Sequence, residues 1–333
     1  EPAAARGYHH ASSLLYDPSN GYVYVANFGS KSVSVIKGTS LIANIIVGSD
    51  PSCLLYDPLN GYIYVANKGS SVSVIKGTSL VTSLSVGGGP DALLYNPSNG
   101  YVYVANYASD SVSVIKDTSV IANVAVGRHP SHLLYNPSNG YVYVANFDSS
   151  SVSVIRGTLV VADLNVGKHP YRLLYNPSNG YVYVANWFSN IVSIINNTSV
   201  IANVTIGSQP LYLLYNPSNG YVYVSSLNSV SVINGTSIIA NITVGWIPQD
   251  LLYDPQNGYI YVANYGSSTL SIISTTPTAI TTTTTSSSAI TPITSTTSNS
   301  IILRFNSTTL LITASTAVVV IIIVAVVVIM RKH

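Results

Sequence analysis

Along most of this chain, short apolar runs alternate with polar turns in an order that recurs at a nearly fixed interval. One copy reads Leu133-Leu134-Tyr135-Asn136-Pro137-Ser138-Asn139-Gly140-Tyr141-Val142-Tyr143-Val144-Ala145-Asn146. The shared motif, LLY(D/N)PxNGY(V/I)YVAN, starts at Leu14, Leu54, Leu93, Leu133, Leu173, Leu213 and Leu251. The offsets are 40, 39, 40, 40, 40 and 38 residues. A period of this size marks a repeat architecture, and each repeat is then one supersecondary unit.

Each unit holds four apolar runs. The LLY run comes first, followed by an Asp-Pro or Asn-Pro turn ending in Asn-Gly. Asn-Gly tolerates positive φ at both positions and is the strongest short hairpin signal. GYVYVAN is the second run, rich in β-branched and aromatic residues. A polar loop such as Phe28-Gly29-Ser30-Lys31 leads to the third, Val33-Ser34-Val35-Ile36. A Lys-Gly-Thr-Ser turn then leads to the fourth, Ile42 to Val47, closed by Gly48. The runs are too short for ordinary helices and the turns are hairpin-sized, so a repeat is a four-stranded antiparallel meander.

The first two strands are apolar on both faces, the mark of a sheet covered on both sides. The third and fourth alternate with Ser, Asn and Thr, as expected nearer an exposed edge. A linear stack of such sheets needs polar end caps. The first and seventh copies keep the same Leu, Tyr and Val residues, so the array is expected to close on itself as a seven-bladed β-propeller, an all-β fold over residues 1–284.

The GYVYVAN strand, the NPxNG turn and the SVSVI strand resemble the YVTN family of propeller repeats. Ala-Asn stands here where the family has Thr-Asn, and Ser225-Ser226 replace it in the sixth copy. The resemblance covers roughly residues 8 to 284. It implies a propeller in an archaeal cell-surface, surface-layer or adhesion setting. It implies little about activity, because propellers host many functions.

Composition narrows the function classes. Only 7% of the residues are charged and the net charge is +2, so no nucleic-acid footprint is expected. Glu1 is the only glutamate. Polarity rests on Ser, Thr, Asn and Tyr, a surface expected to depend little on pH or salt. Cys53 is the single cysteine, which excludes an internal disulfide and fits a small buried residue better than a catalytic thiol.

The fourth strand of the seventh copy is not obvious. In register it falls near Thr278 to Thr284, or the N-terminal residues supply it instead. Residues 285–309 are rich in Ser and Thr and read as an extended, O-glycosylated stalk. Residues 310–330, Leu310 to Met330, form an apolar run of 21 residues, about one bilayer core in length as a helix. Arg331-Lys332-His333 follow, and the positive-inside rule places that tail in the cytoplasm and the propeller outside. Export then requires a signal peptide, removed or lying ahead of Glu1.

Meander connectivity assigns two faces. The second-to-third loops and the fourth-to-first loops share one end, here the upper face. Just after YVAN the copies carry Phe28, Lys68, Tyr107, Phe147, Trp187, Leu227 and Tyr265. Rings of this kind offer large contact area at low entropic cost and suggest a surface for protein or polysaccharide; packing over the blade ends is the alternative. Nearer the axis lie His10, Asp50, Gly89, His129, His169, Gln209 and Ile247, with Arg128, Lys168, His132, Arg172, Asp91 and Asp250 close by. Histidines at a channel mouth are candidate metal ligands. No HxH or HExxH spacing occurs, so no metal site or cofactor is assigned.

The lower face repeats. Lys37, Lys76, Lys116 and Arg156 share one turn position, read as solubilising charges, and Asn196 and Asn234 replace them later. N-x-S/T sequons lie at Asn196, Asn197, Asn203, Asn234, Asn241 and Asn306, expected N-glycan sites on an exported chain. Asp17, Asp57 and Asp254 sit where other copies use Asn, which argues for turn chemistry rather than acid–base chemistry. No GxSxG, P-loop or dinucleotide fingerprint appears. The expected function is therefore a membrane-anchored recognition or adhesion module, with a structural envelope component as the alternative and a metal-dependent enzyme as the less favoured third.

Overall fold

The computed structural model describes residues 10–275, 282–286, 301–305 and 308–312. It contains seven four-stranded antiparallel sheets, each a meander in chain order. Blade four is representative, with strands Pro130–Asn136, Tyr141–Asn146, Ser151–Arg156 and Leu159–Asn165. Its first hairpin pairs Leu133 with Val144, Leu134 with Tyr143 and Asn136 with Tyr141.

The Pro-x-Asn-Gly turn is fixed by two side chains. Asn136 Oδ1 accepts from the Ser138 N–H at 2.9 Å, and Asn139 Oδ1 accepts from the Tyr141 N–H at 2.9 Å. The Asp copies do the same, Asp57 Oδ1 accepting from the Leu59 N–H at 2.9 Å and Asp254 Oδ1 from the Gln256 N–H at 2.8 Å. Carboxylate and carboxamide are interchangeable here because only an acceptor oxygen is needed.

Burial across a blade departs from the expected order. The second and third strands are the most buried, with Val142, Tyr143, Val144, Val152, Val154 and Ile155 fully covered. The first strand is only partly covered because one side of it lines the central channel. The serines of the third strand looked like an exposed edge in the sequence. Instead Ser153 is fully buried and accepts a hydrogen bond from Asn146 Nδ2 at 2.9 Å. Its own Oγ–H donates to Asp163 Oδ1 on the outer strand at 2.6 Å. The Asn of YVAN thus satisfies a buried polar ladder rather than marking a surface. A Cβ at Gly127 would run into Ser149 Oγ and Asn146 Nδ2, which explains the glycine ending the fourth strand of the first six blades.

Cores form between blades, not within them. Tyr143, Val152, Val154 and Leu164 of blade four pack on Leu173, Val182 and Val184 of blade five. A polar latch accompanies the five cores from blades one–two to five–six. The Tyr143 hydroxyl donates to the Asn197 carbonyl of the next blade at 2.8 Å, as Tyr24 does to Gly77 and Tyr103 to Gly157.

Among the described residues, cores join blades one to two through six to seven. The two faces that ring closure must press together are partly open. Leu14 is 49% exposed where its equivalents Leu54, Leu133 and Leu173 are 8%, 7% and 5% exposed. Leu252 and Tyr259 on blade seven are also exposed. Seven packed blades in propeller-like order are therefore present, and the faces of blades one and seven that closure would bring together are partly accessible among the described residues.

Thr282–Ser286 pairs with Thr269–Ser274 and completes blade seven, so the Thr tract supplies that outer strand. In the region read as a stalk and span, Ile301–Phe305 pairs antiparallel with Thr308–Ile312. This hairpin falls within the expected stalk and takes in Leu310–Ile312, the first residues of the expected span. Residues 287–300 and 313–333, including the rest of that span and the tail, lie outside the described residues, as does Asn306. Among the described residues no helix is long and apolar enough to cross a membrane.

Candidate functional site

The loops assigned to one face do meet. The Phe147 N–H donates to the His129 carbonyl at 3.0 Å and the Trp187 N–H to the His169 carbonyl at 3.0 Å. Each second-to-third loop is therefore stitched to the loop entering its own blade. The residue before each proline adopts the left-handed conformation, with φ of 54° at Asp50, 55° at His129, 53° at His169 and 50° at Ile247. For β-branched Ile247 this is strained. The conformation lifts the pre-proline side chain onto the upper face.

There the aromatic residues form a joined cluster rather than a spaced ring. Tyr107 of blade three stacks on His129 of blade four, 4.3 Å between centroids and 5° from parallel. Phe147 of blade four stacks on His169 of blade five at 4.5 Å and 10°. Phe147, Tyr171 and Trp187 lie 6.2 to 6.4 Å apart in a triangle. Phe188, 55% exposed, sets its edge against both His169 and Trp187. Packing and display are therefore the same arrangement: Tyr107 and Phe147 are held by the next blade, Trp187 by Phe147 of the blade before and by Tyr171 and Phe188 of its own, and none of the three is fully buried.

Asp148 knits this cluster together. Its Oδ2 lies 2.6 Å from His129 Nδ1 and its Oδ1 3.8 Å from His169 Nε2. Since a carboxylate only accepts, Nδ1 is the protonated nitrogen of His129. The Asp148 carbonyl accepts from Arg128 Nη2 at 3.1 Å.

Below the cluster the inner strands line a cavity of about 360 Å³. A bulge follows the proline in blades two to five and seven, as between Pro130 and His132 and between Pro170 and Arg172. A bulge re-aims side chains. Here it turns two successive residues toward the axis, so Ser131 with His132 and Tyr171 with Arg172 share the wall with Asp91 and Cys53. Asp91 is ion-paired with Lys68. Burial pushes the Cys53 thiol up, the opposite of an activated nucleophile. Burial, and then the Arg172 charge, lower His132 to about 3, so its imidazole is neutral. Arg172 packs its guanidinium 5.2 Å from the Tyr171 ring centre and 5.5 Å from that of Tyr212. His132 Nδ1, His169 Nδ1, Arg172 Nε and Trp187 Nε1 are buried without a hydrogen-bond partner among the described residues.

Of the residues the sequence singled out, Tyr107, Phe147, Trp187, His129, His169 and Arg172 are brought together. Phe28 and Tyr265 occupy the equivalent loops of blades one and seven, outside this group. Tyr171, Phe188, Asp148 and Tyr212 were missed. For Tyr171 and Tyr212 the signal was present: the two residues after each proline change from Ser-Cys to Asp-Ala, Ser-His, Tyr-Arg, Leu-Tyr and Gln-Asp while LLY stays constant; Asp148 and Phe188 are the second residues after YVAN, where the copies also vary. Among the described residues no three His, Cys, Asp or Glu side chains converge as a metal site.

On the lower face Lys37 and Lys76 sit 5.4 and 5.3 Å from the ring centres of Tyr22 and Tyr62. Asn196, Asn203, Asn234 and Asn241 are exposed. Asn203 and Asn241 also serve the sheet, each Oδ1 accepting from Ser193 or Ser231 Oγ at 2.6 and 2.7 Å. Other blades place Asn44, Asn123 and Asp163 in the same role.

No protein-family model and no curated protein sequence matches the chain. Solved structures do. Hydrazine synthase of Kuenenia stuttgartiensis is 17% identical with a TM-score of 0.54, over 82% of this chain and 99% of that one. Dihydro-heme d1 dehydrogenase NirN is 12% identical with a TM-score of 0.65, over 83% of this chain and 66% of that one. The WD40 β-propeller domain of Doa1 is 13% identical with a TM-score of 0.50, over 72% and 85%. At these identities the likeness is one of fold, and the fold is a β-propeller.

Proposed function

We propose that the protein is a recognition module that binds protein or polysaccharide through its upper face. The observation that carries this is the joined aromatic cluster of Tyr107, Phe147, Tyr171, Trp187 and Phe188 above a polar cavity. Preformed aromatic platforms with buried donors beside them are how binding surfaces combine contact area with selectivity. The likeness of the repeat to YVTN propellers and the apolar run of 310–330 support an outward-facing, membrane-tethered setting, and the exposed sequons would then carry glycans on the lower and outer rims. Binding screens on glycan and protein arrays, repeated with Phe147→Ala/Trp187→Ala and with Lys76→Ala/Lys116→Ala, test the reading. The aromatic pair should abolish binding and the lysine pair leave it intact; the reverse result moves the site to the lower face.

One observation favours the second reading, a structural envelope component. The third residue of the outer strand is an exposed aliphatic in six blades: Ile42, Val81, Ile121, Val161, Ile201 and Ile239, each 41 to 46% exposed. A rim of this kind suits lateral contacts between copies. Concentration-dependent association that Ile121→Lys and Ile201→Lys together suppress would support it. Enzymes occur among the solved structures of similar fold, but no constellation of base and nucleophile stands in the cavity, where Cys53 is held as a thiol and His132 is desolvated.

A further inference from the structure

Resting on the recognition reading, we infer that the cavity beneath the aromatic cluster takes the carboxylate of an acidic sugar residue, whose ring lies against Tyr171 and Trp187 while its carboxylate pairs with Arg172. Arg172 makes no ion pair and no hydrogen bond among the described residues, and its Nε is buried. The carboxylate that shares the cavity, Asp91, is already neutralised by Lys68. The residue is only half-buried, but its Nε has lost its water without gaining a partner, and that loss is not offset by an anion. The two tyrosines beside Arg172 fix its plane and supply no negative charge.

The donor set decides which anion fits. One guanidinium presents a planar fork that matches a carboxylate in two parallel hydrogen bonds. Around it the cavity offers neutral groups: the His132 imidazole, and the Ser131 hydroxyl, which would have to turn from the long bond it donates to the Ala145 carbonyl at 3.5 Å. A single positive charge with neutral donors suits a monoanion better than a doubly charged phosphate. His132 stays neutral at physiological pH, so it adds a hydrogen bond without adding charge.

The surroundings decide what carries the carboxylate. Tyr171 links the two halves of the site: it lines the cavity beside Arg172 and forms the aromatic triangle with Phe147 and Trp187. Trp187 also carries an N–H without a partner. A flat apolar face edged by a donor matches a pyranose ring, which presents C–H groups on its face and hydroxyls at its rim. A cavity of about 360 Å³ admits one or two such rings.

The probes are a short oligogalacturonate, its methyl ester and a neutral oligogalactoside, titrated calorimetrically into the purified protein, with an acidic peptide and a sulfated oligosaccharide as alternative anions. The acid form should bind at least about 10-fold tighter than the ester, as expected of a charge-assisted pair. Arg172→Gln should bring the acid down to the affinity of the ester while leaving the ester unchanged. Thermal melting without ligand should show Arg172→Gln at or above wild type, because an unpaired charge has been removed; a large drop would mean Arg172 is structural and would overturn the assignment. Equal binding of acid and ester overturns the carboxylate while leaving the recognition reading intact. Equal binding of the sulfated sugar overturns the choice of anion, and tighter binding of the acidic peptide overturns the saccharide. No binding of any probe overturns the inference, and array hits of other chemistry that depend on Trp187 would keep the recognition reading standing without it.

Discussion

Phe147 lies flat on His169 of the following blade, with 4.5 Å between ring centres and 10° between planes. Tyr107 and His129 repeat the relationship one blade earlier at 4.3 Å and 5°. The loop aromatic of one blade is therefore a positioning group for the next. A double-mutant cycle on Phe147→Ala and His169→Ala should give a coupling of about 0.5–1.5 kcal/mol, the range for paired rings. Additive losses would show that the stack carries no energy of its own.

Tyr143 reaches across a blade boundary to the Asn197 carbonyl at 2.8 Å. Tyr143→Phe keeps the ring in the core and removes only the donor. The expected loss is about 1 kcal/mol in denaturant unfolding, since the carbonyl sits at an accessible turn. Tyr24→Phe and Tyr103→Phe should match it. A loss confined to one of the three would mean the latch is not a repeating element.

Leu14 and Leu54 hold the same place in the repeat but are 49% and 8% exposed. Leu54→Ala should cost about 2–5 kcal/mol, as for other buried leucines, and Leu14→Ala less than about 1 kcal/mol. Equal large losses would mean that blades one and seven close on one another in solution.

His132 supplies the pH dependence. Burial lowers it from 6.5 to about 3. Between those values the unfolded chain takes up a proton that the folded chain refuses. Stability therefore falls as pH drops through that window and is unaffected above it. The charged and titratable groups around the cavity are Arg172, Asp91 with its partner Lys68, Tyr171 and Cys53. Melting at about pH 7.5 and about pH 4 should show a smaller acid loss for His132→Asn than for wild type. Identical losses would place the titrating group elsewhere.

Most of the blade was legible because each of its rules is local. Asn139-Gly140 specifies the turn, Val142 to Val144 the strand, and repetition the stack. The buried serines were misread because Ser153 is satisfied by Asn146 and Asp163, partners seven and ten residues away that hydropathy alone does not connect. Connectivity alone put Phe147, Trp187, His129 and Arg172 at one end of the blades, and there they lie. What escaped was the way that end is assembled. The Phe147–His169 stack depends on a left-handed backbone at His169, and the Tyr171–Arg172 pair depends on a bulge after Pro170. Neither is written as an apolar pattern.

If ligand meets the upper face at Trp187, the chain carries its own reporter. It has two tryptophans, Trp187 and Trp246, so Trp246→Phe leaves Trp187 as the sole source of tryptophan emission. Emission from that variant should shift as ligand is added and saturate with the dissociation constant found calorimetrically. Calorimetric binding with unchanged Trp187 emission would contradict the account and place the site elsewhere on the propeller.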